Sequence, residues 1–384
     1  MKILADENIP FVRDAFSELG DVHAMPGREM TRAAVADADI LLVRSITRVG
    51  RDLLEGSRVQ FVATATIGED HIDKEWLASH GIGFASAPGS NAGSVMQYVT
   101  AALLALAGRF EFDLRGMTLG IIGVGNVGSR VYNAARALGM ETLVNDPPLQ
   151  RKQQAEGQAA YDFRPLDDIL ACNIVTLHVP LTREGADRTW HLADGAFLSR
   201  MRPGSILVNT SRGPVVHGEH LRGALDSGQL KASALDVWEN EPSIDLGLVQ
   251  RVAIATPHIA GYSFDGKVNG TRMIYEAACR HFGREPAWEP GPLLPPPEHP
   301  RIEVDGREPG ALASTVRTVY DIMRDDAAMR GMTAVPAAER GRFFDRLRKE
   351  YPRRREFFNT TAAVRPHNDE LQQRLAGLGF QIEV

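Results

Sequence analysis

Short apolar runs alternate with helix-like segments through the first ninety residues. The runs MKILAD (1–6), DILLVRS (39–45), VQFVATAT (59–66) and GIGFASA (81–87) are bounded by polar or glycine positions and predict buried strands. Between the first two, PFVRDAFSEL (10–19) has the spacing of a helix. Strands that alternate with helices in this way predict a parallel, doubly wound α/β sheet.

A second alternation occupies the middle of the chain. Six strands are predicted at MTLGIIGVG (117–125), ETLVND (141–146), NIVTLHV (173–179), GSILVNTS (204–211), KASALDVW (231–238) and VAIATPH (252–258). Two long helices, near 91–108 and 264–282, would carry the chain between two domains and leave a cleft. We predict two Rossmann-like domains: a flavodoxin-like substrate-binding domain (1–92 and 262–284) and a dinucleotide-binding domain (93–261).

The last hundred residues have a different pattern. A proline-rich linker (283–300) precedes strand-like RIEV (301–304), a helical segment (311–323), the basic stretch FFDRLRKEYPRRREF (343–357) and strand-like GFQIEV (379–384). These elements predict a small α+β module over 285–384. Because so small a module has little room for a core, we expect its apolar helical faces to pack against a second copy and form a homodimer. The alternative is an appendage folded onto its own subunit.

Composition narrows the possible partners and location. With 43 basic and 49 acidic residues and no basic block before the C-terminal third, nucleic acid is not an expected partner. Cys172 and Cys279 stand outside any CxxC or Cys/His cluster, which predicts a reducing compartment and no metal site. The N-terminus lacks the apolar core of a signal peptide, and the longest apolar stretch (99–107) is too short for a bilayer. We expect a soluble cytoplasmic protein with no membrane partner.

A glycine-rich turn follows the first strand of the second alternation. Gly123, Gly125 and Gly128 form GxGxxG between an apolar run and a helix, as in turns that hold the pyrophosphate of a dinucleotide. The next strand ends in Asp146, where a carboxylate would accept hydrogen bonds from a ribose 2′-OH and repel a 2′-phosphate. The pattern predicts NAD as the cofactor. The alternative is an ordinary glycine turn with Asp146 as a helix cap or a solvent-exposed residue.

Three later strand ends carry an arginine, acids and a histidine. Arg212 follows the fourth strand, Asp236, Glu239 and Glu241 follow the fifth, and His258 follows the sixth. Carboxyl ends of parallel strands are where such sheets bind ligands. Oxidation of a secondary alcohol needs a base for the hydroxyl proton and a cation for a neighbouring carboxylate.

We therefore interpret His258 as the base, Glu241 as its orienting acid and Arg212 as the carboxylate-binding fork. The alternative is that His258 caps the next helix while the acids are solvated.

These motifs together resemble the D-isomer-specific 2-hydroxyacid dehydrogenases. The resemblance rests on GxGxxG with its distal acid, SRG (211–213), DVWENEP (236–242) and TPHIAG (256–261) in this order. It implies that Arg212, Glu241 and His258 are the catalytic set. It also implies a cofactor site lined by Gly123, Gly125, Asn126, Val127, Gly128, Asp146, Val179, Thr210, Ser211, Arg212, Asp236 and Gly261. At Val179 the chain departs from the family, which often has a hydroxyl-bearing residue there. Val179 would therefore contact the cofactor only through its backbone.

The terminal segments resemble one branch of this family more closely. KILADENIP (2–10), VRSIT (43–47), TATIGEDHID (64–73) and the C-terminal module carry that likeness. It implies a phosphorylated 2-hydroxy acid as substrate, contacted by Ser45, Thr66 and Tyr262. The arginines at 346, 348 and 353–355 are expected mostly to form a solvated basic face, although one could reach the substrate phosphate beside Arg44 across a dimer interface.

Two other interpretations stay open at this point. The chain could oxidise a different D-2-hydroxy acid, such as 3-phosphoglycerate or glycerate. It could also be a non-enzymatic protein that binds NADH as a sensor. The intact arginine, glutamate and histidine set argues against the second.

Overall fold

The first part of the chain folds into a five-stranded parallel sheet in the computed structural model, which describes residues 1–157 and 160–383. The strands are β1 (Lys2–Asp6), β2 (Asp21–Met25), β3 (Ile40–Val43), β4 (Phe61–Thr64) and β5 (Gly83–Ala85), in the order β2-β1-β3-β4-β5. The short helices around them are α1 (Val12–Phe16), α2 (Arg32–Val35), α3 (Arg51–Leu54) and α4 (Lys74–Ser79). Four of the strands were predicted, and β2 was missed.

The long helix α5 (Ala92–Phe110) leads into a six-stranded parallel sheet. Its strands are β6 (Thr118–Ile122), β7 (Glu141–Asn145), β8 (Ile174–Leu177), β9 (Ser205–Asn209), β10 (Leu230–Leu235) and β11 (Ile254–Ala255). Its helices are α6 (Gly128–Ala137), α7 (Pro147–Ala155), α8 (Leu166–Leu170), α9 (Gly195–Arg200), α10 (Gly218–Asp226) and α11 (Leu246–Arg251). All six predicted strands are confirmed.

The order of this second sheet creates a crevice. The strands run β11-β10-β9-β8-β6-β7. The next strand in the chain after β6, which is β7, pairs with one edge of β6, and β8 pairs with its other edge. At such a reversal the loops diverge from the carboxyl ends of the two strands, and α/β proteins bind ligands there. The glycine turn follows β6, at this point.

The remaining elements are one long helix and a small third sheet. The helix α12 (Phe264–His281) confirms the second long helix predicted from the sequence. The strands β12 (Arg301–Asp305), β13 (Thr361–Arg365) and β14 (Gln381–Ile382) are parallel, and their helices are α13 (Ala311–Val319), α14 (Ile322–Arg330), α15 (Arg340–Lys349) and α16 (Asp369–Gly377). The segment predicted as one helical face, 311–323, is two helices, because Asp321 accepts a hydrogen bond from the Met323 N–H and starts α14.

The described chain divides into two compact units. The first contains residues 1–92 and 263–296, and the second contains 93–262 and 297–384. The small third sheet therefore lies in the same unit as the six-stranded sheet. The roles assigned to these segments from the sequence (substrate binding, NAD binding and dimerisation) stay predictions.

The C-terminal module buries its apolar helical face within its own chain. Ala311, Leu312 and Val316 are at most 6% exposed, and they share one core with Tyr98 of α5. The expectation that this face needs a second copy for burial is therefore wrong. The homodimer itself stays a prediction.

Helix α14 is also bonded to the edge of the six-stranded sheet. Asp326 accepts a hydrogen bond from the Ala255 N–H at 2.8 Å. Arg330 donates to the carbonyl oxygens of Val249 (3.0 Å) and Val252 (2.9 Å). These bonds give partners to backbone N–H and C=O groups that would otherwise lack a hydrogen bond at an edge strand and at a helix end. The module thus supports β11, the strand that precedes His258.

The arginine run of the C-terminal module is only partly solvated. Arg354 and Arg355 are 8% and 9% exposed, so the prediction of a solvated basic face is wrong for them, whereas Arg346 and Arg353 are exposed. Arg354 donates to Gln97 Oε1 (2.9 Å) and lies 4.1 Å from the centre of a tyrosine ring in the same unit. In the part of the chain that the structure describes, no helix has the length and apolar character needed to span a lipid bilayer.

Candidate active site

The turn between β6 and α6 leaves room for a phosphate group. Gly123 has φ +88°, and a Cβ there would lie 2.5 Å from the His178 carbonyl oxygen. A Cβ at Gly128 would lie 2.0 Å from the Gly123 carbonyl oxygen, so both positions require glycine. A Cβ at Gly125 would meet nothing within 4 Å. The exposed backbone at Gly125 and the start of α6 fit the pyrophosphate of a dinucleotide.

The other residues predicted for this part of the cofactor site line the same turn. Asn126 is exposed and Val127 is half-buried at the start of α6. Val179 Cγ1 would lie 3.0 Å from a Cβ at Gly123, so Val179 packs against the turn. Its side chain offers no hydrogen bond, and a backbone contact with the cofactor stays a prediction.

Asp146 follows β7 and is bonded to the glycine turn. Its Oδ2 accepts a hydrogen bond from the Val124 N–H at 2.8 Å, and its Oδ1 accepts one from the Leu149 N–H at 3.0 Å. The second bond caps α7, which is the alternative role considered from the sequence. Because a carboxylate has about four lone-pair sites, these two bonds leave acceptor capacity for a ribose hydroxyl.

His178, a half-buried residue that the sequence reasoning missed, lies next to the glycine turn. His178 hydrogen-bonds through Nε2 to Thr176 Oγ1 (3.0 Å) and through Nδ1 to Thr210 Oγ1 (3.2 Å). Burial lowers its pKa to about 3, so the ring is neutral at physiological pH. Its role is to hold Thr210, a predicted cofactor residue, at the end of β9.

Asn209, also missed from the sequence, shapes the turn that carries Arg212. Its Oδ1 accepts hydrogen bonds from the Ser211 N–H (3.0 Å) and hydroxyl (2.7 Å), and its Nδ2 donates to the Arg212 carbonyl oxygen (3.0 Å). Arg212 in turn donates from Nη1 to the Ser211 carbonyl oxygen at 2.9 Å. A Cβ at Gly213 would lie 1.8 Å from the Trp238 carbonyl oxygen, so only glycine lets this turn approach the loop after β10.

His258 and Glu241 form a direct pair. His258 Nδ1 and Glu241 Oε2 are 2.7 Å apart, and their side chains are 34% and 20% exposed. The other carboxylate oxygen accepts the Trp238 N–H at 2.8 Å, which fixes the acid in place. Since Glu241 occupies Nδ1, the nitrogen left to exchange a proton with a ligand is Nε2.

The electrostatics of the pair favour an ionised acid. Burial raises the pKa of Glu241, but the charge and hydrogen bond of His258, the Trp238 N–H and the charge of Arg348 outweigh it, so the pKa lies below its ordinary value. The carboxylate therefore stays ionised at neutral pH and would stabilise an imidazolium on His258. This arrangement is suited to general base catalysis, and the role of His258 as the base stays a prediction.

Asp236 holds the loop that presents His258. Its carboxylate, 1% exposed, accepts the N–H groups of Ile259 (2.8 Å) and Ala260 (2.9 Å) and the Thr256 hydroxyl (2.7 Å). The loop needs such support because His258 has φ +58°, a conformation rare for residues other than glycine. The contact of Asp236 with a cofactor, like that of Gly261 in the same loop, stays a prediction.

Comparison with known proteins identifies the family of this chain. Residues 99–260 match the D-isomer specific 2-hydroxyacid dehydrogenase, NAD binding domain, and residues 293–379 match a domain of unknown function. The erythronate-4-phosphate dehydrogenase of Salinibacter ruber is 50% identical over 364 residues, which are 93% of this chain and 92% of that protein. That of Klebsiella pneumoniae is 48% identical over 99% of this chain and 98% of that protein.

The chain belongs to the erythronate-4-phosphate dehydrogenases of the D-isomer-specific 2-hydroxyacid dehydrogenase family. It thus contains the NAD-binding domain of that family, and the resemblance inferred from the motifs is confirmed. The fold agrees with the solved structure of TT0316 protein from Thermus thermophilus (TM-score 0.62, 27% identity, 74% of this chain and 98% of that chain). D-lactate dehydrogenase from Aquifex aeolicus shares the fold (TM-score 0.60, 24% identity, 74% of this chain and 96% of that chain).

The first unit carries two residues that the resemblance assigns to the substrate. Ser45 is exposed just after β3, and Thr66 is half-buried just after β4, with its hydroxyl 2.7 Å from that of Thr64. In the same unit, burial and the charge of Arg44 lower the pKa of Lys267 to about 8. The sequence reasoning had singled out Arg44 but not Lys267. Substrate contacts by Ser45 and Thr66, and by Tyr262 in the second unit, stay predictions.

Replacement of Asp146 by alanine is expected to weaken NAD binding roughly tenfold or more and to reduce discrimination against NADP. The acid accepts ribose hydrogen bonds and repels a 2′-phosphate, and hydrogen bonds to charged groups are worth about 1.5–3 kcal/mol. Fluorescence titration with NADH and NADPH measures both effects.

Asp194→Ala is the matched control for this substitution. Asp194 caps α9 by accepting a hydrogen bond from the Phe197 N–H at 2.9 Å. Its replacement should lower the free energy of unfolding by about 1 kcal/mol, as the loss of the α7 cap does, but leaves the glycine turn unchanged. We expect that variant to keep its preference for NAD. An unchanged NADH to NADPH ratio in Asp146→Ala would mean that Asp146 serves only as a helix cap.

Proposed function

We propose that this chain oxidises 4-phospho-D-erythronate to (R)-3-hydroxy-2-oxo-4-phosphooxybutanoate with NAD, in pyridoxal phosphate biosynthesis. The observation that carries the proposal is the 2.7 Å contact between His258 and Glu241 in a chain that has the family's NAD-binding domain. Two relatives close to 50% identical over nearly the whole chain bear the name of this activity.

Each catalytic side chain has a distinct task in this reaction. The fork of Arg212 binds the substrate carboxylate and fixes the C2 carbon. His258 takes the proton of the C2 hydroxyl at Nε2, and Glu241 stabilises the imidazolium that forms. Gly123 to Gly128 would hold the pyrophosphate of NAD and Asp146 its ribose, and the bound cofactor would supply the acceptor for the C2 hydride. After this step the substrate has become the 2-oxo acid, and His258 carries the proton from the substrate hydroxyl group.

A substrate panel tests the proposal against the alternatives. We expect NADH formation with 4-phospho-D-erythronate at a kcat/KM at least tenfold above that with 3-phosphoglycerate or glycerate. A higher value for either of those acids would reassign the substrate and leave the dehydrogenase class intact. NADH binding without turnover of any of the acids would support the sensor interpretation. That interpretation gives no reason for a base and its acid to lie 2.7 Å apart.

The assembly and location belong to the same proposal. We propose a cytoplasmic homodimer in which the C-terminal module contributes to the interface. Met323 and Phe358, both in this module, are 37% and 49% exposed and offer apolar area for a second copy. Light scattering at micromolar concentration should give twice the mass of one chain, and Phe358→Asp should shift the population towards monomer.

A further inference from the structure

Helix α15 brings Arg348 against the segment that follows His258. The Arg348 guanidinium carbon lies 5.9 Å from the centre of the Tyr262 ring and 5.9 Å from that of Phe344. Tyr351 meets the Tyr262 ring edge-on at 5.9 Å. An arginine from the C-terminal module of the same chain therefore stands beside the loop of the proposed base, with no second subunit needed.

The Arg348 guanidinium has hydrogen-bonding capacity that the described residues do not use. Its Nε is buried and has no hydrogen-bond partner among them. A buried donor without an acceptor costs about 1–3 kcal/mol, so such a group in a native structure calls for an explanation. Its charge interacts with Glu241 and its guanidinium hydrogen-bonds Tyr262, but neither residue accepts a hydrogen bond from Nε.

An anionic ligand would supply the missing acceptor. A planar guanidinium binds phosphate through parallel N–H···O bonds, which an ammonium cannot reproduce. The proposed substrate has two anionic groups, and Arg212 is assigned to its carboxylate. Its phosphate ester is two carbons from the hydroxyl that gives its proton to His258. The group that binds this phosphate must therefore lie close to the loop of His258. Arg348 contacts Tyr262, four residues after His258, and its charge interacts with Glu241.

We infer that Arg348 binds the substrate phosphate and so makes the site selective for phosphorylated over unphosphorylated 2-hydroxy acids. The inference rests on the proposed function for the identity of the substrate. It also gives a role to the arginine-rich stretch 343–357, which contains no member of the catalytic set. The ligand group that Arg348 recognises is a phosphate monoester on a short hydroxy acid.

The test compares Arg348→Met with Arg346→Met, an exposed arginine two residues earlier on the same helix. Arg346 also stacks on an aromatic ring, with its guanidinium carbon 5.1 Å from the centre of Phe343. In Arg348→Met, we expect the ratio of kcat/KM for 4-phospho-D-erythronate to that for D-erythronate to fall about 10²-fold, mainly through KM for the phosphorylated acid. Arg346→Met should keep the wild-type ratio.

Two further measurements keep the outcome interpretable. Inorganic phosphate should inhibit the wild type competitively with 4-phospho-D-erythronate, and Arg348→Met should weaken that inhibition. Arg348→Lys should recover only part of the selectivity, because it keeps the charge but loses the fork. Equal thermal midpoints of the two methionine variants show that neither effect reflects unfolding.

Other results would overturn the inference. An equal loss of kcat for both acids would make Arg348 a positioning residue for Glu241. An unchanged ratio would place the phosphate elsewhere, for example at Arg44 and Lys267 of the first unit. The proposed function can fail separately: the wild type would then prefer another phosphorylated acid, such as 3-phosphoglycerate. In that case, Arg348→Met would still lose selectivity for 3-phosphoglycerate over glycerate.

Discussion

Replacement of His258 by asparagine is expected to lower turnover by about 10²–10⁴-fold while NADH affinity stays nearly unchanged. Asparagine keeps some hydrogen bonding to Glu241 and tolerates the φ of +58° at this position, but it cannot accept the hydroxyl proton. The loss should therefore appear in kcat for 4-phospho-D-erythronate. Steady-state kinetics, with NADH binding measured by fluorescence, separate the two effects.

The chain offers a close control for this substitution. His191 also pairs with a glutamate, with 2.7 Å between His191 Nε2 and Glu239 Oε1, and it also has a positive φ, +54°. It lies in the same unit but outside the predicted catalytic set, so His191→Asn should retain most of the turnover. A loss of less than about tenfold in His258→Asn, or an equal loss in both variants, would show that His258 is not the base.

A chain cut after Arg284 is expected to lose the fold of the second unit. If the module served only as the dimer interface expected from the sequence, this truncation would leave a monomer, but the contacts of the module within its own chain change the expectation. Removal of the module would expose Tyr98, which is fully buried, and would take away the Asp326 carboxylate that accepts the Ala255 N–H. We expect aggregation or a loss of cooperative unfolding, measured by circular dichroism and by NADH binding. A soluble truncated chain that binds NADH as tightly as the full chain would contradict this.

A point variant tests the same interface without removing it. Arg354→Met should lower the free energy of unfolding by about 2–4 kcal/mol, because buried Gln97 and Ser94 lose their charged partner. Arg353→Met, at an exposed neighbouring position, should change it by less than about 0.5 kcal/mol. Denaturant unfolding of the two full-length variants gives both values, and equal stabilities would mean that the buried arginine contributes little.

The strands of the two large sheets were predictable because parallel strands are covered on both faces and read as short apolar runs. β8 and β9 are buried throughout their length, and both were found. β2 has one buried residue, Val22, and lies at a sheet edge, so no apolar run marks it. β13 contains Thr361, Ala362 and Ala363, whose small side chains give little strand signal.

The candidate site was predictable where it depended on position along a strand. Arg212, Glu241 and His258 were chosen because each follows a predicted strand of one parallel sheet, and strand ends of such a sheet meet at one edge. The supporting residues could not be found in this way. Asn209 and His178 look like ordinary strand-end residues until the turns they brace are seen.

The amino-acid sequence by itself determined the two α/β sheets, the glycine turn and the strand ends that carry the proposed catalytic set. These features follow from local periodicity and from residues whose roles depend on near neighbours in the chain. Only the tertiary structure decided the surroundings of the C-terminal module. Contacts between residues far apart in sequence, such as Arg354 with Gln97 and Arg348 with Tyr262, bury two of its arginines and bring a third against the segment that follows His258. A periodic pattern cannot distinguish these arginines from their solvated neighbours, because burial depends on which distant element covers each side chain.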